Sequence, residues 1–241
     1  MNATAIEQPH IAAIVGRWRK DYARNTQNVR TKALRRILKD AAAIIGKNLA
    51  EAVPRISEAR PRQQTVSADQ QAQFRGKAPQ WLRLFALLCS DLALRFNEAR
   101  TATLANYDRE TRTLTLTTKG GDLHTLPVTD EIRRIIESLP ADRPDASMIE
   151  LLYGKPISRN MIRYQWRKTR RNAGLPEEMH PHDLRRTAAT NLYRNTKDAR
   201  LVQQLLGHRT LATTARYIVD QDPDHLRHLL EGLKPFTEVK Q

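Results

Sequence analysis

The side chains of this sequence that could do chemistry fall into four short patterns. They are Leu94-Arg95-Phe96-Asn97-Glu98, Lys119 beside Gly120-Gly121, His182-Asp183-Leu184-Arg185-Arg186-Thr187, and Leu205-Leu206-Gly207-His208 with Tyr217 nine residues beyond the histidine. A phosphodiester under attack gains negative charge on its non-bridging oxygens. Arg95 and Arg185 offer planar forks of donors matched to such oxygens, and His208 offers a further donor. A free phenol ionises near ~10, so Tyr217 as a nucleophile needs nearby cations and a base such as His182. Lys119 can protonate a poor leaving group such as a sugar alkoxide. Singly, each pattern also has a plain structural explanation. Arg95 and Glu98 could be a helix ion pair, Lys119 a solvated turn residue, and His182 and Arg185 surface residues on a first helical turn. His208 could complement a helix C-terminus, and Tyr217 could be a half-buried packing residue.

Those patterns need elements to hold them. Ile11, Ile14, Val15 and Trp18 recur at helical spacing, as do Leu34, Ile37 and Leu38, with Ile44 and Ile45 further on. Residues 60–64 carry Pro61 and no apolar period, which predicts a linker. A helix is expected over 67–77 with Ser67 as its N-cap, and another over 80–94 with Trp81, Leu84, Phe85, Leu88 and Leu92 as its buried stripe. Two alternating runs, 113–117 and 123–128, flank Gly120-Gly121 and predict a hairpin with Lys119 at its tip. Further helices are expected over 130–139, 158–173 (closed by Gly174), 183–194, 198–206 (closed by Gly207), 212–218 and 224–233. The expected class is mainly α with a small antiparallel β-sheet, α+β. Two domains are expected, a short basic helical one over 1–62 and a second over 63–241.

Composition narrows the partner. The chain has 241 residues and a formal charge of +15, from 41 Lys and Arg against 26 Asp and Glu. Residues 1–62 hold 13 basic and 5 acidic side chains. Such an excess favours a polyanion, because basic groups that neutralise phosphates release condensed counterions. Arg30, Lys32, Arg35, Arg36 and Lys39 form one or two basic faces, either phosphate contacts or an ordinary solvated surface. Cys89, the single cysteine, sits in an apolar run and reads as a small buried hydrophobe. No apolar stretch approaches the ~20 residues of a membrane span, and no secretory signal is apparent, so a cytoplasmic setting is expected. His180-Pro181-His182 lacks the cysteines and spaced carboxylates of a metal centre, so no metal is expected. No Gly-x-x-x-x-Gly-Lys loop occurs, in keeping with chemistry that uses no ATP and no cofactor.

Together the four patterns resemble the tyrosine recombinase (phage integrase) family, over about residues 65–235. Leu94-Arg95 and Glu98 match the family's Gly-Leu-Arg-x-x-Glu box, with Ala93 standing where the family has glycine. Lys119 matches its hairpin lysine, His182 and Arg185 its His-x-x-Arg box, His208 its Leu-Gly-His box and Tyr217 its nucleophile. The resemblance implies Arg95, Lys119, His182, Arg185, His208 and Tyr217 as catalytic, with Glu98 as the structural acid. It implies a site-specific recombinase that cleaves and rejoins double-stranded DNA through a covalent 3′-phosphotyrosine, releasing a 5′-hydroxyl. The implied assembly is a homo-oligomer, a tetramer on paired sites, with no small-molecule substrate and no membrane. The apolar stripe Leu226, Leu229, Leu230 and Leu233 is expected to dock on a neighbouring protomer. Residues 1–60 are shorter than the multi-helix clamp common in the family. An inactive DNA-binding protein on this fold and a type IB topoisomerase are the alternatives. The seven filled positions weigh against the first, and the shorter chain without a lysine-rich core weighs against the second.

Overall fold

Helical periodicity in the basic N-terminal stretch becomes three helices: α1 (Gln8–Asp21), α2 (Arg24–Asp40) and α3 (Ala42–Ile45). The computed structural model describes residues 5–57, 64–118, 120–215, 217 and 227. It divides into two compact units, Met1–Arg62 and Gln63–Gln241. In the first unit Ile11, Val15, Leu38, Ile45, Leu49, Ala50 and Val53 form the core, with Trp18 and Leu34 packed against it. Ile14, Ile37 and Ile44, which belong to the same apolar periods, are instead exposed. Each is the immediate neighbour of a core residue, and neighbours on an α-helix point about 100° apart, so one of each pair faces away.

The second unit begins with α4 (Ala68–Lys77), whose N-cap Ser67 accepts from the Gln70 N–H while the Gln70 side chain returns to the Ser67 N–H. Next, α5 (Gln80–Ser90) buries Trp81, Leu84, Phe85 and Leu88, and packs on three later helices, Pro181–Thr196, Met148–Tyr153 and Asp130–Glu137. The expected helix over 80–94 stops at Ser90. Leu92 and Leu94 are still buried, but in a turn in which Leu94 N–H donates to the Leu88 carbonyl at 3.0 Å. Ala93 lies in the left-handed region at φ +50°. The chain then restarts as α6 (Phe96–Thr101), an element too short to show apolar periodicity.

A three-stranded antiparallel sheet follows in the order β1 (Tyr107–Asp108), β2 (Thr113–Thr117), β3 (Leu123–Pro127). The register pairs Leu114 with Leu126 on the buried face, and Thr115 with Thr125, whose hydroxyls are 2.9 Å apart. The remaining helices are α7 (Asp130–Glu137), α8 (Met148–Tyr153), α9 (Arg159–Asn172), α10 (Pro181–Thr196), α11 (Ala199–Leu206) and α12 (Leu211–Ala215). The core is built on α5, with Phe74 against Trp166 at a ring separation of 4.2 Å. The Trp166 indole donates to the Met179 carbonyl at 2.9 Å, which ties α9 to the approach to α10. Of the expected helix over 224–233 only residue 227 is described, and its leucine stripe lies outside the described residues. Among the described residues no helix is long and apolar enough to cross a membrane.

Candidate active site

One carboxylate organises both arginines. Arg95 is the N-cap of α6, and Glu98 closes the cap: Oε2 accepts the Arg95 backbone N–H and Oε1 accepts from Arg95 Nη1, each at 2.7 Å. Glu98 Oε2 is also 3.9 Å from Arg185 Nη1. Burial works to raise the Glu98 carboxyl, but the Arg95 hydrogen bonds and the charges of Arg95 and Arg185 outweigh it and hold it below the usual range.

Arg185 projects from α10 and is 1% exposed. Its Nη1 donates to the Ala93 carbonyl, and its Nη2 donates to the Leu206 carbonyl at 2.8 Å and to His208 Nε2 at 3.3 Å. The left-handed turn at Ala93 presents that carbonyl. With a Cβ, the conformation costs roughly 1–2 kcal/mol, which the glycine of the family motif avoids. Burial lowers the Arg185 pKa, and the nearby Arg95 charge lowers it further.

His208 is delivered by the end of α11. Gly207 takes φ +57° as the left-handed cap, His208 N–H donates to the Gln203 carbonyl, and the Gln203 side chain donates back to the His208 carbonyl at 2.9 Å. Because a guanidinium only donates, His208 Nε2 is an acceptor here and the proton sits on Nδ1, which donates to Thr214 Oγ1 at 3.1 Å. Burial, with Arg185 and Arg95 alongside, pushes the imidazole down to about 4. Donation to a phosphate oxygen therefore requires His208 to take up a proton as anionic charge arrives.

Tyr217 meets His182 across the same site, its hydroxyl 3.2 Å from His182 Nε2. Thr190 Oγ1 donates to the Tyr217 carbonyl at 3.3 Å and Tyr217 N–H donates to the Thr214 carbonyl at 2.8 Å, fixing the backbone of the tyrosine. His182 lies on the first turn of α10, which Pro181 and the His180–Asp183 capping box start two residues earlier than the apolar pattern predicts. Its pKa is lowered by burial and by the charges of Arg185 and Arg186. A neutral His182 can accept the Tyr217 proton on Nε2.

The fold thus brings Arg95, Glu98, His182, Arg185, His208 and Tyr217 into one cluster. Arg95 and His182 line an open groove of about 650 Å³ with Asn97, Thr118 and Arg159. Lys119 lies outside the described residues, but the turn around it is described. Arg209 Nε donates to Asp122 Oδ2 at 2.6 Å and its Nη2 donates to the Gly120 carbonyl at 2.8 Å. His124 on β3 donates from Nε2 to the Gln204 carbonyl at 2.8 Å. These contacts tie the hairpin to the segment that carries His208.

Sequence reasoning missed Arg209, His124, Thr214 and Arg186, whose parts depend on contacts across the fold. Arg159 had a local signal, the row Arg159, Arg163, Arg167 at four-residue spacing on α9. It donates to Asn97 Oδ1 at 2.8 Å, and with Arg163 it faces the Phe96 ring.

The five basic candidates on α2 are not equivalent. Arg35 faces inward and donates to the Val53 carbonyl at 2.6 Å, and Arg30 stacks 3.7 Å over the Tyr22 ring. Lys32, Arg36 and Lys39 are exposed and share one face, with Arg36 paired to Asp40 at 2.9 Å.

Residues 62–223 match the model of the Phage integrase family. A tyrosine recombinase XerC from Rhodospirillum centenum is 32% identical over 157 residues, covering 63% of this chain and 46% of that protein. XerC 1 from Ralstonia nicotianae is 31% identical over 171 residues, 66% of this chain and 51% of that one. The chain therefore spans about half the length of these curated relatives. Among solved structures, the XerH site-specific recombinase bound to its difH substrate has a TM-score of 0.69 at 18% identity, covering 96% of this chain and 72% of that one. A λ integrase dimer bound to a COC′ core site has a TM-score of 0.64 at 20% identity, covering 98% and 85%. At these identities the structures establish a shared fold, while the family match rests on the sequence and includes every residue of the clustered site. The chain belongs to the phage integrase family, the tyrosine recombinases.

Proposed function

We propose that the chain is a site-specific recombinase that cleaves and rejoins double-stranded DNA through Tyr217. The observation that carries this reading is the 3.2 Å contact of the Tyr217 hydroxyl with His182 Nε2, set beside the Arg95–Glu98–Arg185–His208 cluster. The Tyr217 oxygen attacks phosphorus as His182 takes its proton. The bond to the 5′ oxygen breaks, Lys119 protonates that oxygen, and a 3′-phosphotyrosyl ester remains. Arg95, Arg185 and protonated His208 stabilise the charge that builds on the non-bridging oxygens; in other oxyanion sites one such donor contributes roughly 2.7–4 kcal/mol. Reversal with a new 5′-hydroxyl restores the backbone without ATP, because the ester keeps the bond energy.

Lys32, Arg36 and Lys39 on α2 suit phosphate contact, and relatives crystallised on DNA, one of them as a dimer, support DNA-bound assembly. Four protomers on paired sites are the assembly we infer, joined through the segment beyond Tyr217.

A nicked duplex that loses a short 5′ fragment on cleavage traps the covalent complex. Wild-type protein is expected to form an adduct resistant to denaturing gels, and Tyr217→Phe to form none while binding DNA with near-normal affinity. Adduct formation by Tyr217→Phe at the wild-type rate would move the nucleophile elsewhere, with Tyr193 the next tyrosine to test.

A further inference from the structure

Arg186 has no part in the scheme above, yet it is a buried cation beside the two groups that exchange a proton. It is 8% exposed, and its Nε and Nη1 have no hydrogen-bond partner among the described residues. Its Cζ stands 5.9 Å from the centre of the Tyr217 ring, within the range of a cation–π contact. Two buried unsatisfied donors are costly, and an arginine in a core is ordinarily neutralised by a carboxylate. Asp183, the nearby acid on α10, spends an oxygen on the His180 N–H. A cation paired with an acid projects little field, whereas an unpaired one in the lower effective dielectric of a protein interior acts on its neighbours more strongly than it would in water.

We propose that Arg186 is a positioning residue for strand cleavage, an uncompensated cation that stabilises the negative charge developing on the Tyr217 oxygen and keeps His182 neutral. The proposal rests on Tyr217 as nucleophile and His182 as its base, and adds a residue acting through both. Among the described residues, the charged and titratable groups that face His182 are Asp183, Arg185 and Arg186 from its own helix, Arg95 from the start of α6, and Tyr217. Asp183 alone opposes protonation being disfavoured, and the three arginines act together. Removing one of them makes His182 easier to protonate, so the acid limb of the reaction moves to higher pH.

The test is the pH dependence of single-turnover cleavage on the trapping duplex, for wild type, Arg186→Gln and Arg186→Lys. Arg186→Gln is expected to cleave about tenfold more slowly at pH 7, with the midpoint of its acid limb raised toward the ordinary histidine value and DNA affinity unchanged. Arg186→Lys keeps the charge and is expected to restore the wild-type midpoint. If the Gln variant does not fold, citrulline at position 186 keeps the shape without the charge and must raise the midpoint in the same way. A lowered rate with an unmoved midpoint in the uncharged variant would reduce Arg186 to packing and overturn the proposal. Tyr217→Phe run in parallel separates the two failures: its silence with an unmoved midpoint removes only Arg186, whereas its activity removes the nucleophile and Arg186 together.

Discussion

Glu98 is the residue on which the site turns, because a single carboxylate caps α6, holds Arg95 at 2.7 Å and sits 3.9 Å from Arg185. Glu98→Gln keeps the shape but loses the charge between two guanidiniums. It is expected to lower both thermal stability and cleavage, whereas a merely structural cap would lower stability alone. The imidazoles set the pH behaviour. His182 must be neutral to accept the Tyr217 proton, so cleavage is expected to fall on acidification with a midpoint below the ordinary value of 6.5. A midpoint above 6.5 would contradict the base assignment. His208 adds a stability effect of defined sign. The unfolded chain protonates this histidine from about 6.5 downward, but the folded protein resists until about 4. Stability is therefore lost as pH falls through that window, and chemical denaturation of His208→Gln should show a smaller loss. Lys119 has a narrower test. As the general acid, Lys119→Ala should slow cleavage of an ordinary phosphodiester by ~10²–10⁴-fold, yet cleave at near the wild-type rate a substrate with sulfur as the leaving atom. An equal deficit on both substrates would leave Lys119 as a phosphate contact.

At the scale of elements, the sequence carried the types and order of the site residues, the apolar stripe of α5, and α9 through the glycine that closes it. It did not reveal that α5 ends at Ser90 and that Arg95 begins a new helix, because the turn between them is as apolar as the helix: Leu92, Ala93 and Leu94 are all buried. The two-residue strand β1 and the short helices α6 and α8 are fixed by tertiary contacts, which periodicity cannot register. Among the helix ends that were legible, Gly207 carries the most function. It sits at φ +57°, and a Cβ there would come within 2.9 Å of the His124 ring. Gly207→Ala combines roughly 1–2 kcal/mol of left-handed strain with that collision, just before His208. Thermal unfolding should show a lower Tm, and cleavage should fall more than DNA affinity; equal affinity and cleavage losses would mean the hairpin contact does not set His208.

Across the whole molecule, the +15 charge was legible as a preference for nucleic acid, but the partition of basic residues within α2 was not. Arg35 and Arg30 belong to the same basic run as Lys32, Arg36 and Lys39, and only the fold turns Arg35 onto the Val53 carbonyl and Arg30 onto Tyr22. DNA binding through many phosphates predicts log affinity falling steeply against log salt, and a slope shallower than about two would count against contact by both units. Cys89 supplies a way to watch those units. It is the only cysteine of the chain, it is 1% exposed in the α5 core, and burial pushes its thiol well above the usual range. Maleimide dyes should therefore ignore the native protein and mark only introduced thiols. Ala33→Cys on α2 and Glu110→Cys in the β1–β2 turn are both exposed, one in each unit. A donor–acceptor pair on that double variant would report, by energy transfer in single molecules, any change in the distance between the two labels when duplex DNA is added.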